Sequence, residues 1–210
     1  MISESSDAVS ARELRERALF LEYFTIAWNV IEAVIAVGAG WLAGSIALVG
    51  FGLDSLIEVT SAAALVWRLR KSGHPDEELD AERTALRIVA YTFFALAAYV
   101  TYQASSILLR RAAPEESIVG IVLAAVSLIV MPWLGLAKKK LARRIGSRAL
   151  DADGTETMVC SYLSLTLLVG LGANALWGWW WADPLAALAI VAFVIHEGKE
   201  ALEHSRGDQD

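Results

Sequence analysis

The sequence predicts an all-α integral membrane protein with six transmembrane helices. Of the 210 residues, 56% are hydrophobic and the mean hydropathy is +0.49, more apolar than a soluble domain of this length. The apolar residues fall into six stretches, about 18–41, 45–69, 86–109, 118–137, 155–178 and 183–203, each near the roughly 20 residues that a helix needs to cross a bilayer. Two of these stretches carry acid or thiol side chains four residues apart, Asp54 with Glu58 and Glu156 with Cys160. The stretches use most of the chain and leave no room for a soluble domain of ordinary size. Residues 1–15 read as a disordered cytoplasmic tail, 16–205 as one membrane domain and 206–210 as a short C-terminal tail.

Span 1 contains Asn29 and Glu32 in AWNVIEAVIAV. Glu32 is a costly acid within an apolar run and is expected to serve as a supporting partner of a site or as a proton carrier. Span 2 reads SIALVGFGLDSLIEVTSAAALVW. Asp54 and Glu58 share one helical face, and no Lys or Arg within the spans is expected to reach their depth. The loop after span 2 holds His74 among Asp76, Glu77, Glu78 and Asp80 and reads as a solvated acidic loop. In span 3, Tyr99 and Gln103 read as interhelical hydrogen-bond formers. Span 4 is followed by the basic run Lys138–Arg148, which reads as an anchor flanking the membrane; no nucleic-acid motif is present.

Span 5 opens at DADGTETMVC, where Asp151 or Asp153 could cap a helix, or the chain could stay helical from span 4 through Arg148. Counted from the tryptophans that follow, Cys160 lies roughly 25 Å along the helix, deeper than Asp54 at roughly 13 Å. The two pairs meet only if span 5 is tilted, begins late or is broken. Trp179, Trp180 and Trp181 suit the headgroup region, and Asp183-Pro184 reads as the start of span 6 with Asp183 as N-cap. His196 and His204 read as interfacial.

Of the 18 Lys and Arg residues, all but Arg110 and Arg111 fall on one side of these spans. The positive-inside bias then places both termini in the cytoplasm of a multi-pass cell (inner) membrane protein. The net charge of −6 says little beside this bias. The single cysteine excludes an internal disulfide. The polar residues 1–11 lack the apolar core of a signal peptide.

An ionised carboxylate inside a span costs several kcal/mol or more and usually faces the bundle interior with a task to perform. Asp54, Glu58, Glu156 and Cys160 therefore suggest a cation site built from two helices, with Asn29, Glu32 and Asp153 as possible supporting or proton-carrying groups. Zinc accepts a mixture of carboxylate and thiolate at about 2.0–2.3 Å. Thiolate turns preference away from magnesium and calcium, so zinc comes first, with cobalt, cadmium, iron(II) or manganese(II) also admitted. Ligands must lose protons to bind a metal, which links binding to proton release.

The run GSIALVGFGLDSLIEVTSAA resembles the second membrane helix of the cation diffusion facilitator (cation efflux) family, where two acidic or His ligands stand four residues apart. The runs ADGTETMVC and GWWWADPLAALAI resemble that family's fifth and sixth helices. With Ala152-Asp153 on the family's Ala-Asp, Glu156 falls where a His usually stands and Cys160 where an Asp stands. The resemblance covers about residues 18–203 and is specific in helices 2, 5 and 6. It implies a cation-efflux-type bundle, export of divalent metal by proton exchange, an ion held between helices 2 and 5, and a homodimer. The chain ends soon after helix 6, so the resemblance is to a short form without the family's C-terminal cytoplasmic domain. No cofactor is expected beyond the transported ion. A membrane scaffold or sensor that binds metal without moving it is the alternative. An enzyme with Cys160 as nucleophile is not expected, because no His stands at the same depth.

Overall fold

The computed structural model describes residues 2–43, 46–71, 75–111 and 118–207; His74 and the 112–117 connection lie outside them. The described residues form six helices: α1 (Ile2–Ala43), α2 (Ile46–Arg70), α3 (Pro75–Arg110), α4 (Ile118–Ile145), α5 (Arg148–Trp177) and α6 (Ala182–Arg206). The first five are long and apolar enough to cross a membrane by length and composition. In α6 the charged residues from His196 onward dilute an apolar run that starts at Pro184.

Three extensive pairings, α1 with α2, α3 with α6 and α4 with α5, are joined by α2–α3, α5–α6 and α1–α4 contacts. The helices thus close a ring in the order α1, α2, α3, α6, α5, α4. Helix α5 also touches α2 and α3 across the middle. A cluster of buried apolar side chains centred on Leu65, Leu86, Phe93, Leu134 and Leu150 fills the ring.

One end of the bundle is tied by basic and acidic groups and is called the basic end here. The Arg15 guanidinium donates to the Leu69 carbonyl, and Arg68 pairs with Glu82. Glu82 also accepts from the Ser147 hydroxyl at 2.9 Å and the Ala149 amide at 2.8 Å. The end of α2 and the start of α5 therefore meet at the start of α3, and α1 is tied to the end of α2. Trp177, Trp179 and Trp181 stack at the opposite, tryptophan end, with ring centroids 5.6 Å apart in each successive pair.

Four local expectations are corrected. Residues 2–15, which composition reads as a tail, continue α1 as helix; the run from Ala8 to Leu19 is rich in Ala, Arg, Glu and Leu and lacks Gly and Pro, so nothing stops the helix there. Helix α5 starts at Arg148 rather than near 155. Gly146, at φ +75°, turns the chain, and Ser147 rather than Asp151 or Asp153 caps α5, accepting from the Leu150 amide at 3.1 Å. Asp183 is not the N-cap of α6. That position belongs to Trp181, and Asp183 sits in the first turn, where a carboxylate suits the helix dipole. Lys138, the first residue of the presumed anchor, is inside the bundle with 0% exposure, because α4 runs on unbroken to Ile145.

Helices α4 and α5 come together where two glycines face each other. A Cβ on Gly135 would stand 3.0 Å from the Gly154 carbonyl oxygen, and one on Gly154 would stand 2.8 Å from Lys139 Cγ and 3.2 Å from the Gly135 carbonyl oxygen. Small residues of this kind let membrane helices approach closely. Gly135→Val is expected to lower stability in detergent by about 1–3 kcal/mol through overpacking. Gly38→Ala, where a Cβ meets nothing within 4 Å, should be neutral or stabilising by at most about 1 kcal/mol. Thermal melts of the two purified variants compare them directly.

Candidate functional site

Asp54, Glu58, Glu156 and Cys160 are all buried, with exposures of 6%, 0%, 0% and 6%. Helix α2 descends from the tryptophan end while α5 ascends towards it, so stepping down one helix matches stepping back along the other. In the upper layer the Cys160 thiol lies against both Asp54 and Glu58. In the next layer Glu58 Oε1 accepts from the Thr157 hydroxyl at 2.7 Å. Below that, Ser61 donates to Asp153 and also reaches Glu156.

The depth arithmetic therefore has a definite outcome: Cys160 does reach Asp54. Helix α5 is continuous from Arg148 to Trp177, so it neither begins late nor breaks. Asp54 lies about 12 Å from the first residue of α2 and Cys160 about 25 Å from the last of α5. The two helices are thus offset along their lengths, with the tryptophan end of α5 extending past the start of α2.

Glu156 is placed differently. Its Oε2 accepts from the Thr92 hydroxyl of α3 at 3.0 Å, and with Ser61 on its other side it sits a layer below Cys160. Among the described residues, no three His, Cys, Asp or Glu side chains stand in metal-holding geometry. The four side chains form a column rather than a closed cage, because the Thr92 hydroxyl holds Glu156 aside. Asp54 Oδ1, Glu58 Oε2 and Glu156 Oε1 are buried without a hydrogen-bond partner among the described residues. Buried acceptors are ordinarily paired, so these three carboxylate oxygens along one column are open to a ligand.

The supporting candidates divide. Glu32 of α1 is satisfied by two hydroxyls, accepting from Ser55 of α2 at 2.9 Å and from Ser127 of α4. It also faces Asp54 electrostatically. Asn29 is buried, but its amide donates within α1 to the Thr25 carbonyl at 3.0 Å; among the described residues no hydrogen bond joins it to the column. Asp153 is paired with Lys138 of α4 at 2.5 Å.

That last contact overturns the expectation that no Lys or Arg reaches this depth. Lys138 Nζ also lies 3.2 Å from Glu22 Oε2 of α1 and donates to Thr157 Oγ1 at 3.3 Å. Neither Glu22 nor Lys138 was among the candidate residues. Glu22 is an acid within span 1 and falls under the same rule that singles out Glu32. Lys138 continues the buried stripe Ser127, Met131, Leu134 at helical spacing, the one sign that it does not belong with its exposed neighbour Lys140.

A cavity of about 70 Å³ reaches Asp54 from the tryptophan end. Gly50, Tyr99, Gln103, Thr166 and Asp183 form part of its wall. Gly50 leaves room for two of these side chains: a Cβ would stand 1.9 Å from Tyr99 Oη and 2.4 Å from Gln103 Nε2, so both would have to shift. Tyr99 and Gln103 thus face α2, and the Tyr99 hydroxyl keeps no partner among the described residues.

Fold and column together define a multi-pass helical membrane protein with an acid- and thiol-lined interior. The chain belongs to the cation efflux family: the Cation efflux transmembrane domain matches residues 23–205. It is similar to an uncharacterized transporter of Synechocystis, 26% identical over 81% of this chain and 57% of that protein. It is also similar to transmembrane protein 163 of Xenopus laevis, 26% identical over 76% of this chain and 56% of that one. A cation-efflux pump of Shewanella oneidensis, FieF, is 22% identical over 71% of this chain and 50% of its own. The chain spans about half the length of these curated relatives.

Coupling through Glu32 can be measured. Ser127→Ala and Glu32→Gln, alone and combined, should show an interaction energy of about 1 kcal/mol in a double-mutant cycle. An additive result within about 0.3 kcal/mol removes Glu32 from the link between α1 and α4.

Proposed function

We propose that this chain moves a divalent metal cation across the membrane, zinc by preference, in exchange for protons and outward from the cytoplasm. Asp54, Glu58 and Cys160 receive the ion between α2 and α5, and Glu156 joins them when it turns from Thr92. The observation that carries this reading is the meeting of the Cys160 thiol with Asp54 and Glu58 across the bundle. Two carboxylates from successive turns of α2 about one thiol suit a tetrahedral ion such as zinc, and the thiolate disfavours magnesium and calcium. Binding requires loss of the thiol proton, and of any carboxylate proton, so metal entry and proton release are linked at this place. The lysine and arginine bias supports cytoplasmic termini, and the family resemblance supports two copies side by side in the cell membrane.

Purified protein in proteoliposomes should take up zinc when a pH gradient is imposed. Asp54→Ala and Glu58→Ala are each expected to lower that flux on the order of 100-fold, at the upper end of what loss of even a supporting group costs a metal site. A parent-like rate in Asp54→Ala refutes the site, and zinc binding without flux favours the scaffold alternative. Cys160→Ser should retain transport and shift preference from cadmium towards manganese, since the soft donor is replaced by a hard one; competition between the two ions reads that shift.

A further inference from the structure

The groups at the basic end of the column are not explained by ligation. Lys138 is fully buried, and the charged groups facing it come from three other helices: Glu22 of α1, Glu58 of α2 and Asp153 of α5. It ion-pairs with Asp153 and Glu22 at 2.5 and 3.2 Å. It is also bonded to Thr157, whose hydroxyl donates to Glu58. Ser61 ties Asp153 back to α2. One ammonium group therefore joins α1, α4 and α5, and through two hydroxyls α2, directly below the acid–thiol layer. Above that layer the 70 Å³ cavity reaches Asp54 from the tryptophan end.

We propose that Lys138 is a further residue of the transport path: a tethered cation that seals the basic end of the column through Asp153 and Glu22 and withdraws to admit the divalent ion. The inference deepens the proposed function and rests on it for the identity of the ion. The physical reason is charge. Glu22, Glu58 and Asp153 surround a space that needs positive charge in an apolar bundle. A lysine fixed to α4 supplies that charge while the helices are closed at this end. An entering divalent ion supplies it in its place, so the ion pair to Asp153 is the contact that opening must break.

The chain's single cysteine is the reporter. Its thiol is buried about one turn of α5 beyond Thr157, the hydroxyl that Lys138 reaches. A membrane-impermeant methanethiosulfonate is applied from either face of vesicles whose orientation is read by protease cleavage of a C-terminal tag. Parent protein and Lys138→Arg should label slowly from the face bearing the termini. Lys138→Met should label faster from that face by about tenfold or more, the scale expected when a buried pair holding one state is broken. Labelling from the opposite face should be unchanged. Asp153→Asn breaks the same pair and should reproduce the effect; it decides the matter alone if Lys138→Met fails to fold. Parent-like labelling in both variants, or equal acceleration from both faces, overturns the proposal. Zinc added to the parent should slow the reaction; if it does not, the metal-site reading fails while the seal is still judged by the variants.

Discussion

An apolar bundle offers its carboxylates no water, and the arrangement of this protein follows from that constraint. Five of the six buried acids among the described residues are answered by a group on another helix: Glu22 by Lys138, Glu32 by Ser55 and Ser127, Glu58 by Thr157, Asp153 by Ser61 and Lys138, Glu156 by Thr92. These contacts join α1, α2, α3, α4 and α5. They act together with apolar packing to fix which helices neighbour which. An acidic residue at the centre of a membrane helix costs about 2.5–3.5 kcal/mol on insertion scales, whereas interhelical hydrogen bonds in membranes average about 0.6 kcal/mol. The polar network therefore offsets its own cost poorly, and stability alone does not account for six buried acids in one interior.

The acids are ordered by depth. The thiol layer holds Asp54 and Cys160, with Glu32 alongside on α1. Glu58 and Thr157 follow, then Ser61, Glu156 and Asp153 with its lysine. This order arises because α2 and α5 are antiparallel and offset, so residues at helical spacing on one helix meet residues at the same spacing on the other. Close approach between helices depends on small residues: Gly50 leaves room for Tyr99 and Gln103, and Gly135 faces Gly154. The protein thus keeps a polar column within an apolar ring.

Much of this was legible from residue order alone. Runs of about 20 apolar residues have one stable form in lipid, since every backbone polar group must be satisfied within the segment. The helix count followed from that, as did the family resemblance in helices 2, 5 and 6. Asp54 and Glu58 were marked by their cost within an apolar run, which is a local property. The extents of α1 and α5 were less legible, because polar helix formers continue a helix beyond the apolar run without changing its composition.

Pairing between helices was decided only in three dimensions. Spacing put Asp54 with Glu58 and Glu156 with Cys160, but it could not set the offset of α2 against α5, which brings Cys160 to Asp54 and leaves Glu156 with Thr92. Lys138 shows the same limit. In the sequence it opens a basic run at the end of a span, where lysines usually meet water. In the structure α4 carries it on into the ring, and acids from three other helices surround it. A charge's partner on a distant helix depends on how whole helices pack, and that is a property of the assembled bundle rather than of any segment.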